Sequence, residues 1–141
     1  MIKIAEFNIV EVFEAFDKGK EKIGGASLKN NRIINFRIHG VVCKSCGING
    51  NVFIAEKEKQ EHWRPHLNFY HISKSTKRLM TKDHIKPISL GGSGCVHNLQ
   101  SMCDRNKSAR YSVNDRVSHL ISLVKHKLNN KCNCNIFKAL V

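Results

Sequence analysis

Two cysteines separated by two residues, Cys43 and Cys46, with Gly47 directly behind them, constrain this chain more than any other feature of its 141 residues. The turn between them brings both sulfurs to one side, at the spacing with which two thiolates reach a single tetrahedral zinc ion. The same spacing is compatible with two free thiols. The constraint matters because the core has little else to build on. Apolar residues make up 41% of the chain and aromatic residues 7%, and so thin a core often recruits a metal or disulfides as a staple. The length fits one small domain with a short extension at either end.

Met1 to Val10 has no long apolar run, so neither a signal peptide nor a membrane span is expected there. This reading places the protein in a cytoplasm, where six cysteines are more readily metal ligands or free thiols than disulfides. Charge then narrows the partner. Lys and Arg total 24 against 11 acids, a net of +13, and a chain this basic usually meets a polyanion. The first 21 residues are net −2, and the remainder, with 21 bases against six acids, is +15. Any nucleic-acid surface is therefore expected after residue 21, and no membrane partner is expected.

Ile4, Phe7, Val10 and Phe13 recur at helical spacing with acids between them, which predicts an amphipathic helix over 4–17. Lys18 to Asn31, rich in Lys, Gly, Ser and Asn, reads as a linker. The apolar, β-rich run of 32–42 is expected to be extended and to lead into the cysteine knuckle. Val52 to Ala55 reads as a short strand, and the charged stretch 56–66 as an irregular turn. LNFYHIS and RLMTKDH, separated by Lys74 to Lys77, have the pattern of an antiparallel hairpin. The loop 85–96 carries Pro87 and the run Gly91-Gly92-Ser93-Gly94, so it is not helical throughout. Helices are expected from Asn98 to about Arg110 and over 113–128.

Chemistry concentrates at three places: the CxxC knuckle, Asp83-His84 at the end of a predicted strand, and a Cys and an Asn soon after the glycine-rich loop. Asp83-His84 sets a hard oxygen ligand for magnesium beside a base that titrates near neutrality, as metal-assisted phosphoryl hydrolysis needs. An isolated Asp-His pair is more often an ordinary surface pair. Order and spacing give the three places their weight.

Cys43-x2-Cys46, then the run from Leu79 through Asp83-His84-Ile85-Lys86-Pro87 to Gly91-Gly92, then Asn98-Leu99-Gln100-Ser101-Met102-Cys103 and Asn106, closely resembles the HNH endonuclease family. It is also similar to HNH proteins of tailed bacteriophages, where a hairpin ending in LMT precedes the Asp-His pair. The resemblance covers about residues 36–110. It implies an α+β chain with a small ββα-metal core, a zinc knuckle and flanking helices. The implied division is an N-terminal helix and linker over 1–35, a nuclease core over 36–111 and a C-terminal helix and tail over 112–141.

By this resemblance His84 is the general base that deprotonates the attacking water, and Asp83 and Asn106 ligate a catalytic Mg2+ or Mn2+ ion. Asn98, the family's middle Asn, ties the long loop to the hairpin and orients the histidine. Cys43, Cys46 and Cys103 are zinc ligands. Lys82, Lys86, Arg105, Lys107 and Arg110 contact DNA. The products implied carry 5′-phosphate and 3′-hydroxyl ends, and the compartment is the bacterial host cytoplasm if the protein is phage-encoded.

The chain departs from the family at one point. Many zinc-containing members read CxxCN, whereas this chain reads Cys103-Asp104-Arg105-Asn106-Lys107. If one residue was lost, Asn106 keeps its metal-ligand role. If the cysteine was replaced, Lys107 falls on the metal position, and Arg110 fits the family pattern only in that alignment. The fourth zinc ligand is then Cys95, Cys132, Cys134 or a nearby histidine. Two other readings stand beside the nuclease: a catalytically impaired HNH-like module that binds DNA or protein, and a structural zinc-ribbon protein.

Overall fold

Asn8 divides the amino-terminal segment in two. In the computed structural model, which describes residues 1–60 and 62–104, the Asn8 side chain accepts the Glu11 amide proton at 2.9 Å. The Glu11 carboxylate in turn accepts the Asn8 amide proton at 2.7 Å, a reciprocal capping box. The helix α1 therefore begins only at Ile9 and runs Ile9–Asp17. Ile2–Asn8 is instead a strand, β1. The expected helix over 4–17 is thus corrected in its first half: Ile4 and Phe7 satisfy a helical period, but the cap fixes where helix can start.

The expected linker contains a miniature hairpin, β2 (Lys22–Ile23) and β3 (Ala26–Ser27). Its turn residues Gly24 and Gly25 have φ of 54° and 78°. A Cβ on Gly24 would also lie 2.9 Å from the Phe7 ring, so glycine meets both a conformational and a packing demand there.

A second helix, α2, spans Asn31–His39, where an extended run was expected. Asn30 caps it by accepting the amide protons of Arg32 and Ile33, both at 3.1 Å, and Gly40 ends it at φ 91°. The β-branched Ile33 and Ile34 disfavour helix only slightly. Cap and packing outweigh that preference, because Ile33 and Phe36, one turn apart, are both fully buried against the sheet.

The sheet has the order β1-β4-β5-β6-β7 and is antiparallel throughout, with β4 at Val52–Lys57, β5 at His66–Ile72, β6 at Lys77–His84 and β7 at Leu99–Cys103. The architecture of the described residues is therefore α+β, a five-stranded sheet with the small β2–β3 hairpin and two α-helices. Phe53 on β4 stacks on Phe69 of β5 with ring centroids 4.2 Å apart, and Phe36 of α2 sits 4.8 Å from Phe69. These three rings are the centre of the core. The β5–β6 hairpin forms as its alternating pattern predicts, closed by Ser73 donating to the Thr76 carbonyl at 2.9 Å.

Residues 99–103, expected to be helical, are the strand β7, which pairs with β6 from Met80↔Cys103 to His84↔Leu99. A single 3-10 turn, Val96–Asn98, precedes it. The physical reason is the second edge of β6: β5 pairs along one edge over Lys77–Met80, and the opposite edge is left for β7, which pairs along it over Met80–His84. β1 lies in the same sheet as the rest, and the expected boundary at residue 35 falls inside α2. Among the described residues no helix is long and apolar enough to cross a membrane. The expected helix over 113–128 lies outside the described residues.

Candidate functional site

The knuckle is built by backbone hydrogen bonds around Gly47, whose φ is 74°. The Cys43 amide donates to the Ile48 carbonyl at 2.9 Å, and the Gly47 amide donates to the Cys43 carbonyl at 2.9 Å. Lys44 then donates to Ser101 O at 2.9 Å, which docks the knuckle on β7. Cys103, sixty positions along the chain, is thereby brought to the CxxC turn. Its amide donates to the Cys43 sulfur at 3.3 Å, and the sulfurs of Cys46 and Cys103 lie 3.7 Å apart.

All three thiol sulfurs fall within 4.8 Å of one another, with Cys43 and Cys103 buried and Cys46 exposed. None of the three is in a disulfide. A tetrahedral zinc with sulfurs at about 2.3 Å has sulfur–sulfur edges of about 3.8 Å, close to the spacing found. The cluster can hold a metal ion with three thiolates and one vertex left for a further ligand. Cys95 is not a member of it, and Cys132 and Cys134 lie outside the described residues.

The second group sits at the other end of the β6–β7 ladder. Asp83 pairs with Gln100 and His84 with Leu99, so both close β6 just where β7 begins. Asp83 is 4% exposed and His84 is half-buried. A carboxylate withdrawn from water is tolerated where it is paired or bound to a cation.

The thirteen-residue connection from Ile85 to His97 is closed by Asn98, which is fully buried. Its side-chain amide donates to the Lys86 carbonyl at 3.0 Å and to the Ser93 carbonyl at 2.7 Å, and its carbonyl oxygen accepts from the Lys86 amide at 2.9 Å. Its own backbone carbonyl accepts from Ile85 at 2.8 Å. Asn98 thus holds the start and the middle of the loop against the end of β6. Gly92 is the other requirement: a Cβ there would lie 1.9 Å from the Lys86 carbonyl oxygen, so only glycine permits this closure.

Lys82 and Lys86 flank the Asp-His pair and are half-buried. Arg105, Asn106, Lys107 and Arg110 lie outside the described residues. A groove of about 530 Å³ between α1 and α2, bordered by Phe16, Lys20, Ile34 and Arg37, includes neither the cysteines nor the Asp-His pair among its lining.

One buried polar network carries no sequence motif. Where the β5–β6 ladder ends, Arg32 donates to Asn68 at 2.8 Å. Asn68 and Tyr70 then donate to the same Glu56 oxygen at 2.8 and 2.7 Å. Burial, followed by the bond to Glu56, pushes the Tyr70 hydroxyl up to about 12, and burial lowers the Arg32 guanidinium. These residues stand far apart in the chain, and only the sheet register brings them together.

No family of known proteins, curated protein or solved structure matches this chain.

Proposed function

We propose that this chain is an HNH-type endonuclease that hydrolyses DNA phosphodiester bonds on a ββα-metal core. The observation that carries the reading is the β6–loop–β7 unit, in which Asp83-His84 ends one strand, Asn98 binds the connecting loop at both Lys86 and Ser93, and β7 runs back along β6. Fold alone never fixes function. A buried carboxylate and a partly exposed imidazole at successive positions of a strand end are what point to hydrolysis.

In this reading Asp83 and Asn106 hold the divalent ion, Mg2+ or Mn2+. When bound, that ion supplies Lewis-acid stabilisation of the departing oxygen. His84 takes the proton from the attacking water, a role that imidazole fills more often than any other side chain. Asn98 fixes the loop behind His84 and so limits the histidine's positions. Lys82, Lys86 and the basic residues 105, 107 and 110 bind backbone phosphates, in keeping with the +15 carried after residue 21. Cys43, Cys46 and Cys103 take zinc as a structural ion, since soft thiolates favour it. The proposed setting is a cytoplasm, that of a bacterial host if the gene is phage-borne.

A plasmid-nicking assay tests the reading: conversion of supercoiled DNA with Mg2+ and none with a chelator is expected. A non-cutting module of the same fold is the second reading, favoured by Lys107 standing next to Asn106. DNA that is bound but stays intact with every divalent ion tried would establish that reading instead.

A further inference from the structure

The only tryptophan in the chain, Trp63, lies in the loop between β4 and β5 and is 46% exposed. Burial therefore does not account for it. Its polar group is already used: the indole N–H donates to the Gln60 side-chain oxygen at 2.9 Å, and its backbone N–H donates to the Gln60 carbonyl at 3.2 Å. These two bonds fix the ring on a tight turn and leave its faces as what it offers to a partner.

Around it stand the exposed Lys59, His62, Arg64 and His66, and the same loop carries two acids in its sequence, Glu58 and Glu61. The His62 ring centroid is 6.3 Å from that of Trp63. Pro65 stiffens the loop's return and packs near the β2–β3 turn, where a Cβ on Gly25 would be 3.5 Å away.

The register gives this loop its meaning. Phe69 of β5 pairs with Met80 of β6 in antiparallel sense. His66, three residues back from Phe69, and Asp83, three residues on from Met80, therefore lie about 10 Å from that pair in the same direction. The Trp63 loop and the Asp83-His84 pair thus rise from one end of the sheet. The cysteine cluster lies toward the other end of β7.

We propose that the β4–β5 loop holds an unpaired nucleotide of the bound nucleic acid, its base stacked on Trp63 and the adjoining phosphates on Arg64 and Lys59. The proposal rests on the nuclease reading and names a contact of that same site. An exposed aromatic face with Arg64 next to it in sequence and Lys59 in the same loop fits a base and its phosphates. A membrane surface fits less well, because among the described residues of the loop Trp63 is the one large apolar side chain.

Because Trp63 is the only tryptophan, indole emission of the unaltered protein reports on this position alone. With Mg2+ and Mn2+ left out to prevent cutting, a labelled single-stranded oligothymidylate and an abasic strand of equal length are titrated, following label anisotropy and indole emission together. The oligothymidylate is expected to quench the emission, whereas the abasic strand binds without quenching. Trp63→Ala should weaken oligothymidylate binding about 5- to 100-fold and leave abasic binding unchanged, and Trp63→Phe should retain most of the affinity. Binding by anisotropy with no quenching, and with equal affinity in Trp63→Ala, overturns the stacking proposal and leaves the nuclease reading standing. No anisotropy change with either strand or with duplex DNA overturns both. Quenching by an acidic peptide but not by oligothymidylate makes the loop a protein contact and also overturns the proposal.

Discussion

Replacing Asn98 by alanine removes three hydrogen bonds at once and leaves their partners behind. The Lys86 amide, the Lys86 carbonyl and the Ser93 carbonyl, at 2.9, 3.0 and 2.7 Å from the Asn98 side chain, belong to the loop backbone and cannot be removed with it. A typical intramolecular bond contributes about 1 kcal/mol net, and a buried group left unpaired costs about 1–3 kcal/mol. Three such losses amount to about 3 kcal/mol. Water reaching the half-buried Lys86 and Ser93 brings the expected loss nearer to about 2 kcal/mol. Urea unfolding should therefore show a lower midpoint with an unchanged slope. Limited proteolysis should open the chain between Ile85 and His97 before any other site. Asn98→Asp keeps the acceptor for the Lys86 amide but sets carboxylate charge against two carbonyls. It should destabilise at least as much at neutral pH and recover partly in acid, where the introduced carboxyl regains a proton to donate. A loss below about 0.5 kcal/mol in Asn98→Ala, or unaltered proteolysis, would refute the claim that this one side chain holds the loop.

Three further outcomes follow from the same geometry. Metal analysis should find zinc bound to the unaltered protein, and Cys43→Ser or Cys103→Ser should lose it with a fall in melting temperature, because binding to a folded site is coupled to folding; unchanged metal content in both variants would remove the cluster from the account. Stability should fall as pH rises from about 10 toward 12. The Tyr70 hydroxyl, raised by burial and by Glu56 to about 12 from its usual 10.0, contributes fully below its unfolded value and loses that contribution above it. Tyr70→Phe should flatten this limb, and an unaltered alkaline limb in that variant would argue against the network. DNA affinity should drop steeply with salt, the log–log slope counting phosphates neutralised, and salt-insensitive binding would point to a protein partner.

What the sequence could and could not disclose follows from which interactions are local. The β5–β6 hairpin is legible because LNFYHIS and RLMTKDH alternate around a polar turn, and the knuckle because Cys43, Cys46 and Gly47 adjoin. The amino-terminal helix is half legible: Asn8 and Glu11 form a capping box, a local signal that outranks the apolar period on either side of it. Asn30 carries the same kind of signal ahead of α2, where the β-branched isoleucines point the other way. The strand β7 depends on the free edge of β6, a partner that lies beyond a long loop, so its short run Leu99 to Cys103 fits a helix equally well by pattern. Cys103 meets Cys43, and Arg32 meets Asn68, only through that sheet register. No periodicity within a short window could report either contact.

The central claim is that Asp83-His84 forms a hydrolytic centre, and the most direct measurement is the initial rate of supercoiled-plasmid nicking by the unaltered protein, His84→Ala and Asp83→Ala, with Mg2+ and with a chelator. The account predicts a chelator-sensitive rate in the unaltered protein and a fall of about 10²–10⁴-fold in His84→Ala, the usual worth of a general base. DNA affinity and melting temperature should stay close to those of the parent, since His84 is half-buried at the end of its strand. Asp83→Ala should lose activity and the dependence of rate on Mg2+ concentration together. Nicking by His84→Ala at the parent's rate would contradict the account.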